Sequence, residues 1–244
     1  MSYIVELKDV SFWAQGRRRV RDFSFRFEEG KTTALIGPSG SGKSTVLKLA
    51  AGLIAPDNGE VLFRGRDIAR MSRQENILFR REAAVVFQDS ALWENQSLLQ
   101  ILELPLRMHF PEMSKADREK RIESVVTAVG YKKDLGIRPP GLSMGEQKLL
   151  AFARALMCRP ELLYLDEWTE SLDNNAAQRL VEMVKKLKNN GVSIILVSHD
   201  IQIIRDLADI VVMILGGQVF LRLTKEQIDG DEDLGRYIER GMAT

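Results

Sequence analysis

Residues 37–45 read Gly37-Pro38-Ser39-Gly40-Ser41-Gly42-Lys43-Ser44-Thr45, a pattern suited to holding phosphate. Glycine permits the tight backbone turns that aim successive N–H groups inward, so such a loop wraps an anion with main-chain donors. Lys43 reaches the outer oxygens of a polyphosphate, and the Ser44 hydroxyl is a ligand for Mg2+. A second constellation is Leu162-Leu163-Tyr164-Leu165-Asp166-Glu167, in which a largely apolar run delivers adjacent carboxylates to the end of a buried strand. Two buried anions need a compensating partner. A magnesium ion bridging nucleotide phosphates is that partner: Asp166 can hold it through its water shell, while Glu167 can polarise an attacking water.

These groups must be positioned by a strand, a loop and a helix. The apolar run 33–36 predicts the strand before the glycine loop, and Val46, Leu47, Leu49 and Ala50 predict the helix after it. Upstream, Ile4, Val5 and Leu7, then Phe23, Phe25 and Phe27, recur at near-alternate positions around a turn at Gly16 and read as β-structure. Further strands are expected at 61–63 and 83–87. From about residue 90 to 158 the spacing turns helical, an insertion within the α/β core. Beyond it, strands at 162–165, 194–197 and 210–215 alternate with helices, which predicts a mainly parallel sheet covered on both faces.

The chain has 244 residues, of which 45% are hydrophobic and 28% charged, enough apolar material for one large core. With 35 basic and 34 acidic side chains the formal charge is +1, which disfavours nucleic acid as the main ligand. No apolar run approaches the roughly 18 residues needed to cross a bilayer, and charges at Glu6, Lys8 and Asp9 interrupt any leader-like start, so a cytoplasmic location is expected. The single cysteine, Cys158, excludes an internal disulfide and reads as a buried thiol. The basic group Arg17, Arg18, Arg19 and Arg21 reads as a solvated hairpin tip, with contact to anionic headgroups or a partner as its alternative.

Between the two phosphate-directed constellations lies Leu142-Ser143-Met144-Gly145-Glu146-Gln147, where Ser143 and Gly145 open a helix whose hydroxyl and N–H groups face anions. Together with Gln88 after a strand, Ser171-Leu172-Asp173 after the acidic pair and His199 after another strand, the ordered set resembles an ATP-binding cassette ATPase over residues 4–225. The resemblance implies a nucleotide-hydrolase core with a β arm (1–88 and 159–225), a helical signature subdomain (89–158) and a C-terminal tail (226–244), together one domain over 4–240. It implies ATP and Mg2+ as ligands, with Gln88 touching the metal or the lytic water and His199 contacting the γ-phosphate and supporting the water held by Glu167. It also implies that Ser143 and Gly145 face the γ-phosphate bound by a second copy, with Glu146 and Asp173 as further nucleotide-binding residues, in a head-to-tail homodimer that drives a separate membrane permease from the inner face of the membrane.

Several positions depart from the commonest form. Met144 and Glu146 stand where Gly and Gln are usual, Trp168 replaces the Pro after the catalytic glutamate, and Glu170 precedes Ser171. These bear on hydrolysis rate more than on ATP binding. Ala14 falls near the usual position of the adenine-stacking aromatic, leaving Trp13 as the candidate for that stack, with ordinary packing as its alternative. The segment Phe87-Gln88-Asp89-Ser90-Ala91-Leu92-Trp93, followed by Leu104-Pro105-Leu106-Arg107, is similar to cassettes of Mce-type phospholipid transport, which implies a lipid-binding transport partner. Trp93 and Leu98 are then candidate permease contacts; other cargo, or a cell-division cassette that signals without transport, are the alternatives. A small-molecule kinase shares the phosphate loop but has no use for the Ser143 signature.

Overall fold

Apolar runs that are continuous rather than alternating fill the centre of the molecule, because strands covered on both faces have no solvent side. The computed structural model describes residues 2–229. Five parallel strands, β3 (Thr32–Ile36), β6 (Ala83–Val86), β7 (Leu162–Asp166), β8 (Ser193–Val197) and β9 (Ile210–Leu215), form one sheet with β10 (Gln218–Thr224), which returns antiparallel at its edge. The order is β10-β9-β3-β8-β7-β6, so β3 and β7, which lead into the glycine loop and the acidic pair, flank β8.

Alternation along these strands sorts their side chains to two cores. Leu163 and Leu165 join Ile194 and Leu196 in a core shared with the inserted helices, whereas Leu162, Tyr164, Ile195 and Val197 face the opposite way. The second core is closed by α1 (Lys43–Ala50) and by a four-stranded antiparallel sheet, β2-β1-β4-β5, built from β1 (Tyr3–Ala14), β2 (Arg17–Glu28), β4 (Asn58–Phe63) and β5 (Arg66–Asp67). The fold is therefore α/β with a mainly parallel core, as the residue pattern predicts, and an antiparallel arm, as the resemblance implies. The strands expected at 61–63 and 83–87 lie in different sheets, separated by α2 (Arg73–Glu82) with its Ser72–Glu75 capping box.

Three helices occupy the insertion: α3 (Leu98–His109), α4 (Lys115–Val129) and α5 (Met144–Leu156). Ser97 and Ser143 each accept from the third helical N–H, and Gln100 and Glu146 reach back, so both helices start on complete capping boxes. Pro105 lies inside α3 rather than ending it. Helices α6 (Asn174–Asn189) and α7 (Ile201–Leu207) cover the sheet, and α8 (Lys225–Asp229) follows β10. Most of the expected 226–244 tail lies outside the described residues. Among the described residues no helix is long and apolar enough to cross a membrane.

Candidate functional site

The glycine loop is held from below by close backbone packing. Gly37 has φ 140°, and a Cβ there would sit 2.2 Å from the Ile214 carbonyl oxygen, so only glycine fits. Gly217, in the β9–β10 turn, donates to the Ser41 carbonyl at 3.0 Å and accepts from Arg21 N–H at 2.9 Å, while a Cβ on it would collide with the Arg19 carbonyl. The loop is thereby tied to both sheets at once.

Lys43 is buried at the start of α1, and its ammonium donates to the Gly37 and Pro38 carbonyls at 2.8 and 3.1 Å. Burial pulls its pKa down, opposed by Glu167 and Asp166. The neighbouring Ser44 hydroxyl donates to Asp166 at 2.8 Å, joining the end of β7 to the loop. Asp166 is 3% exposed; burial pushes its carboxyl above the usual range, with the Ser44 hydrogen bond and nearby lysines pulling it back.

Glu167 leaves β7 with φ 44°, a left-handed conformation that costs a residue with a Cβ about 1 kcal/mol or more. Its N–H donates to the Val197 carbonyl at 3.1 Å, which anchors the turn to β8. Burial also raises the Glu167 carboxyl, against the pull of His199. His199 Nε2 lies 3.2 Å from Glu167 Oε1, within ion-pair reach, yet that buried oxygen has no aligned hydrogen bond. The Gln88 side chain donates to Glu170 at 3.0 Å.

A cleft of about 290 Å³ gathers these groups, with Ser39, Gly40, Gly42, Lys43, Ser44 and Thr45 on one side and Gln88, Glu167, Glu170 and His199 on the other. Arg19 also lines it, so this arginine faces the phosphate loop rather than forming part of a solvated tip. Arg18 instead pairs with Asp22 and lies over the Trp13 ring. A larger groove of about 1020 Å³ lies between β1, β2 and the β10 end, away from these groups.

Ser44 and Asp166 present oxygen donors suited to a hard cation. Among the described residues no three His, Cys, Asp or Glu side chains converge as a metal cage. Such a sparse donor pair fits Mg2+, which keeps water and takes phosphate oxygens as its remaining ligands.

Gly37, Pro38, Ser41 and Asp166 do not line this cleft but are joined to it through the loop and the Ser44 hydrogen bond, whereas Trp13, Ser143, Gly145, Glu146 and Asp173 lie apart from it. Trp13 is 42% exposed. Ser143 is exposed at the start of α5, where its hydroxyl accepts from Glu146 N–H and its own N–H donates to the Glu146 carboxylate. Lys133 lies 2.7 Å from that carboxylate and holds it below the usual range. Gly145 backs onto the Ser171 carbonyl, 3.2 Å from where a Cβ would stand, and Asp173 caps α6 through Ala176 N–H.

Other residues escaped the sequence reading. Trp168, read only as a departure, is fully buried and stacks on Phe152 of α5 with centroids 5.7 Å apart. Lys148 is buried on the same helix and donates to the Gln88 carbonyl and, at 3.3 Å, to the Glu167 carbonyl. Its signal was a lysine on the helical stripe that also carries Phe152 and Leu156. Leu98 is 1% exposed and offers nothing to a permease, whereas Trp93 stands 48% exposed. Cys158 is half-buried, donates to the Pro105 carbonyl, and is pushed up to about 11 by burial.

The sequence model of the ABC transporter family matches residues 20–170. An uncharacterised ABC transporter ATP-binding protein of Methanocaldococcus jannaschii is 34% identical over 202 residues, covering 81% of this chain and 89% of the relative. The nickel import ATP-binding protein NikE of Escherichia coli K12 is 31% identical over 228 residues, 91% and 85% of the two chains. The dimeric post-hydrolysis structure of the cassette MJ0796 with ADP and phosphate superimposes with a TM-score of 0.84 at 28% identity, covering 91% of this chain and 98% of that one. With a phosphate loop, paired strand-end carboxylates and a helix-opening signature on that shared fold, this chain belongs to the ABC transporter ATP-binding family and is an ATPase that uses ATP with Mg2+.

Proposed function

We propose that this chain works as one of two identical motor subunits that close head to tail around two ATP molecules, each site taking its phosphate loop from one copy and its signature from the other. The carrying observation is the split within the chain: Lys43, Ser44 and Glu167 line one cleft, with Asp166 buried behind it on the Ser44 hydroxyl, while Ser143 stands exposed and outside it. A helix N-terminus that offers N–H groups to solvent is suited to an anion arriving from another molecule.

Within the cleft, the loop N–H groups and Lys43 hold the phosphates, and Ser44 and Asp166 hold the magnesium-bound end. That ion, when bound, neutralises charge on the phosphate oxygens. Glu167 orients and deprotonates the attacking water through its buried, unbonded oxygen, and His199 keeps that carboxylate directed and contacts the γ-phosphate. Gln88 senses the filled site when it leaves Glu170.

Complementation tests the pairing. Glu167→Gln and Ser143→Arg chains, each inactive alone, are mixed before ATP is added. In a head-to-tail dimer half of the pairs are mixed, and each mixed pair keeps one intact site, so phosphate release returns to about a quarter of wild type. No recovery would refute the shared site.

For the coupled step we propose a membrane permease docked at the inner face of the membrane, with phospholipid as cargo delivered through a lipid-binding partner. The support is the resemblance of the 87–107 segment to Mce-type cassettes, with exposed Trp93 in that segment. A metal-ion cargo is the second reading, favoured by the likeness to the nickel import protein NikE. Mass spectrometry of proteins and lipids that copurify from gently solubilised native membranes separates them: bound phospholipid with a lipid-transfer protein supports the first, and a permease bound to a metal-carrying protein supports the second.

A further inference from the structure

Helix α5 opens at Ser143, yet one of its faces grips the opposite half of the chemistry. Lys148 is 3% exposed, and the hydrogen bonds its ammonium makes go to main-chain carbonyls rather than to a carboxylate. Those carbonyls belong to Gln88 and Glu167, although Glu170, Asp166 and Asp89 lie near enough to favour its charge. A buried cation bonded to main-chain carbonyls is a poor way to stabilise a fold, because an apolar side chain of the same length avoids the desolvation cost.

What the cation does hold is strained. Glu167 has φ 44°, and its two flanking peptides are pinned separately: its N–H to Val197 and its carbonyl to Lys148. One turn further along α5, Phe152 stacks on Trp168, the next residue of the same bend. The loop that follows Gln88 is held from the same helix, because Arg154 donates to the Ser90 and Ala91 carbonyls, and both of those residues are also left-handed.

We propose that Lys148 is a positioning residue for hydrolysis, fixing the backbone of Glu167 and of Gln88 to the helix that begins with Ser143. Loss of its two hydrogen bonds frees Glu167 to relax out of its strained conformation, moving the carboxylate away from the water it serves. ATP binding, which rests on the loop and Lys43, is untouched. This inference rests on the family's ATPase activity and not on the cargo.

The experiment compares wild type, Lys148→Met and Lys148→Arg by steady-state phosphate release, equilibrium ATP binding and thermal melting. Lys148→Met keeps the length and removes the donors. The expected result is kcat lower by about 10- to 100-fold with KM and ATP affinity within about twofold, as small misplacements of a catalytic group produce. Its melting temperature stays level or rises, and Lys148→Arg recovers part of kcat. Wild-type kcat in Lys148→Met overturns the proposal, and so does a loss of activity matched by a fall in melting temperature or left unrescued by arginine. A wild-type protein that releases no phosphate would instead contradict the ATPase reading.

Discussion

The phosphate loop and the signature of this molecule each lead into a helix, α1 and α5, and they differ in how much of themselves they bury. Around the loop, Lys43 and Asp166 are buried and wired to backbone and to Ser44, so charge is held in place at a cost in stability. At the signature, Ser143 is exposed, Met144 is 70% exposed, and the charge of Glu146 is met by Lys133 on the surface. The first half is preorganised by its own chain. The second stands open to solvent, as the proposed site shared between two copies requires. Helix α5 belongs to both, through Ser143 at its tip and Lys148 and Phe152 along its buried face.

The contrast can be broken most severely on the buried side. Glu167→Gln should lower kcat by about 10²- to 10⁴-fold in a phosphate-release assay while leaving ATP affinity near wild type, because the general base is lost and the binding loop is not. An unchanged rate would move the base elsewhere. Trp168→Ala removes a fully buried ring stacked on Phe152 and should cost about 3–5 kcal/mol in denaturant unfolding. A cost under about 1 kcal/mol would show that the bend after Glu167 does not depend on that packing.

A pH series sharpens the comparison. Burial raises the Glu167 and Asp166 carboxyls in the folded protein. A raised carboxyl favours the fold while protonated, below the pH of its unfolded titration, and that contribution is lost as pH rises through the folded pKa. Nucleotide-free Glu167→Gln should therefore melt above wild type near neutral pH, with the gap closing in acid. The acidic limb of kcat should lie above the ordinary carboxylate range for the same reason. A melting gap that widened on acidification would reverse the assignment. The smallest effect belongs to the exposed half: Lys133→Ala breaks a partly solvated ion pair and should change unfolding by less than about 1 kcal/mol. A larger loss would mean that the signature end is more rigidly built than its exposure implies.

Legibility followed the range of the interactions. The glycine loop was readable because its function lies in consecutive backbone groups and in the strand and helix that flank it. Asp166 and Glu167 were readable because anions at the end of an apolar run demand an explanation. Lys148 was not, since a lysine on a helix is ordinarily solvated, and only the packing of α5 against the bend at 167–168 buries it. Arg19 was read with its basic neighbours as hairpin surface, because alternation along a strand does not say which face looks toward a loop from another part of the chain.

By itself, the sequence determined the α/β class, the glycine loop between a strand and a helix, the carboxylates at the end of an apolar strand, and the helix start that carries the signature, all of them set by local pattern and by the chemistry of single residues. Only the tertiary structure decided that the signature stands apart from the cleft, that Trp168 is a buried anchor, and that one face of α5 grips both Gln88 and Glu167. These depend on contacts between residues well separated along the chain, 19 positions for Lys148 to Glu167 and 60 for Lys148 to Gln88, and such contacts exist only after the two cores have closed around the sheet.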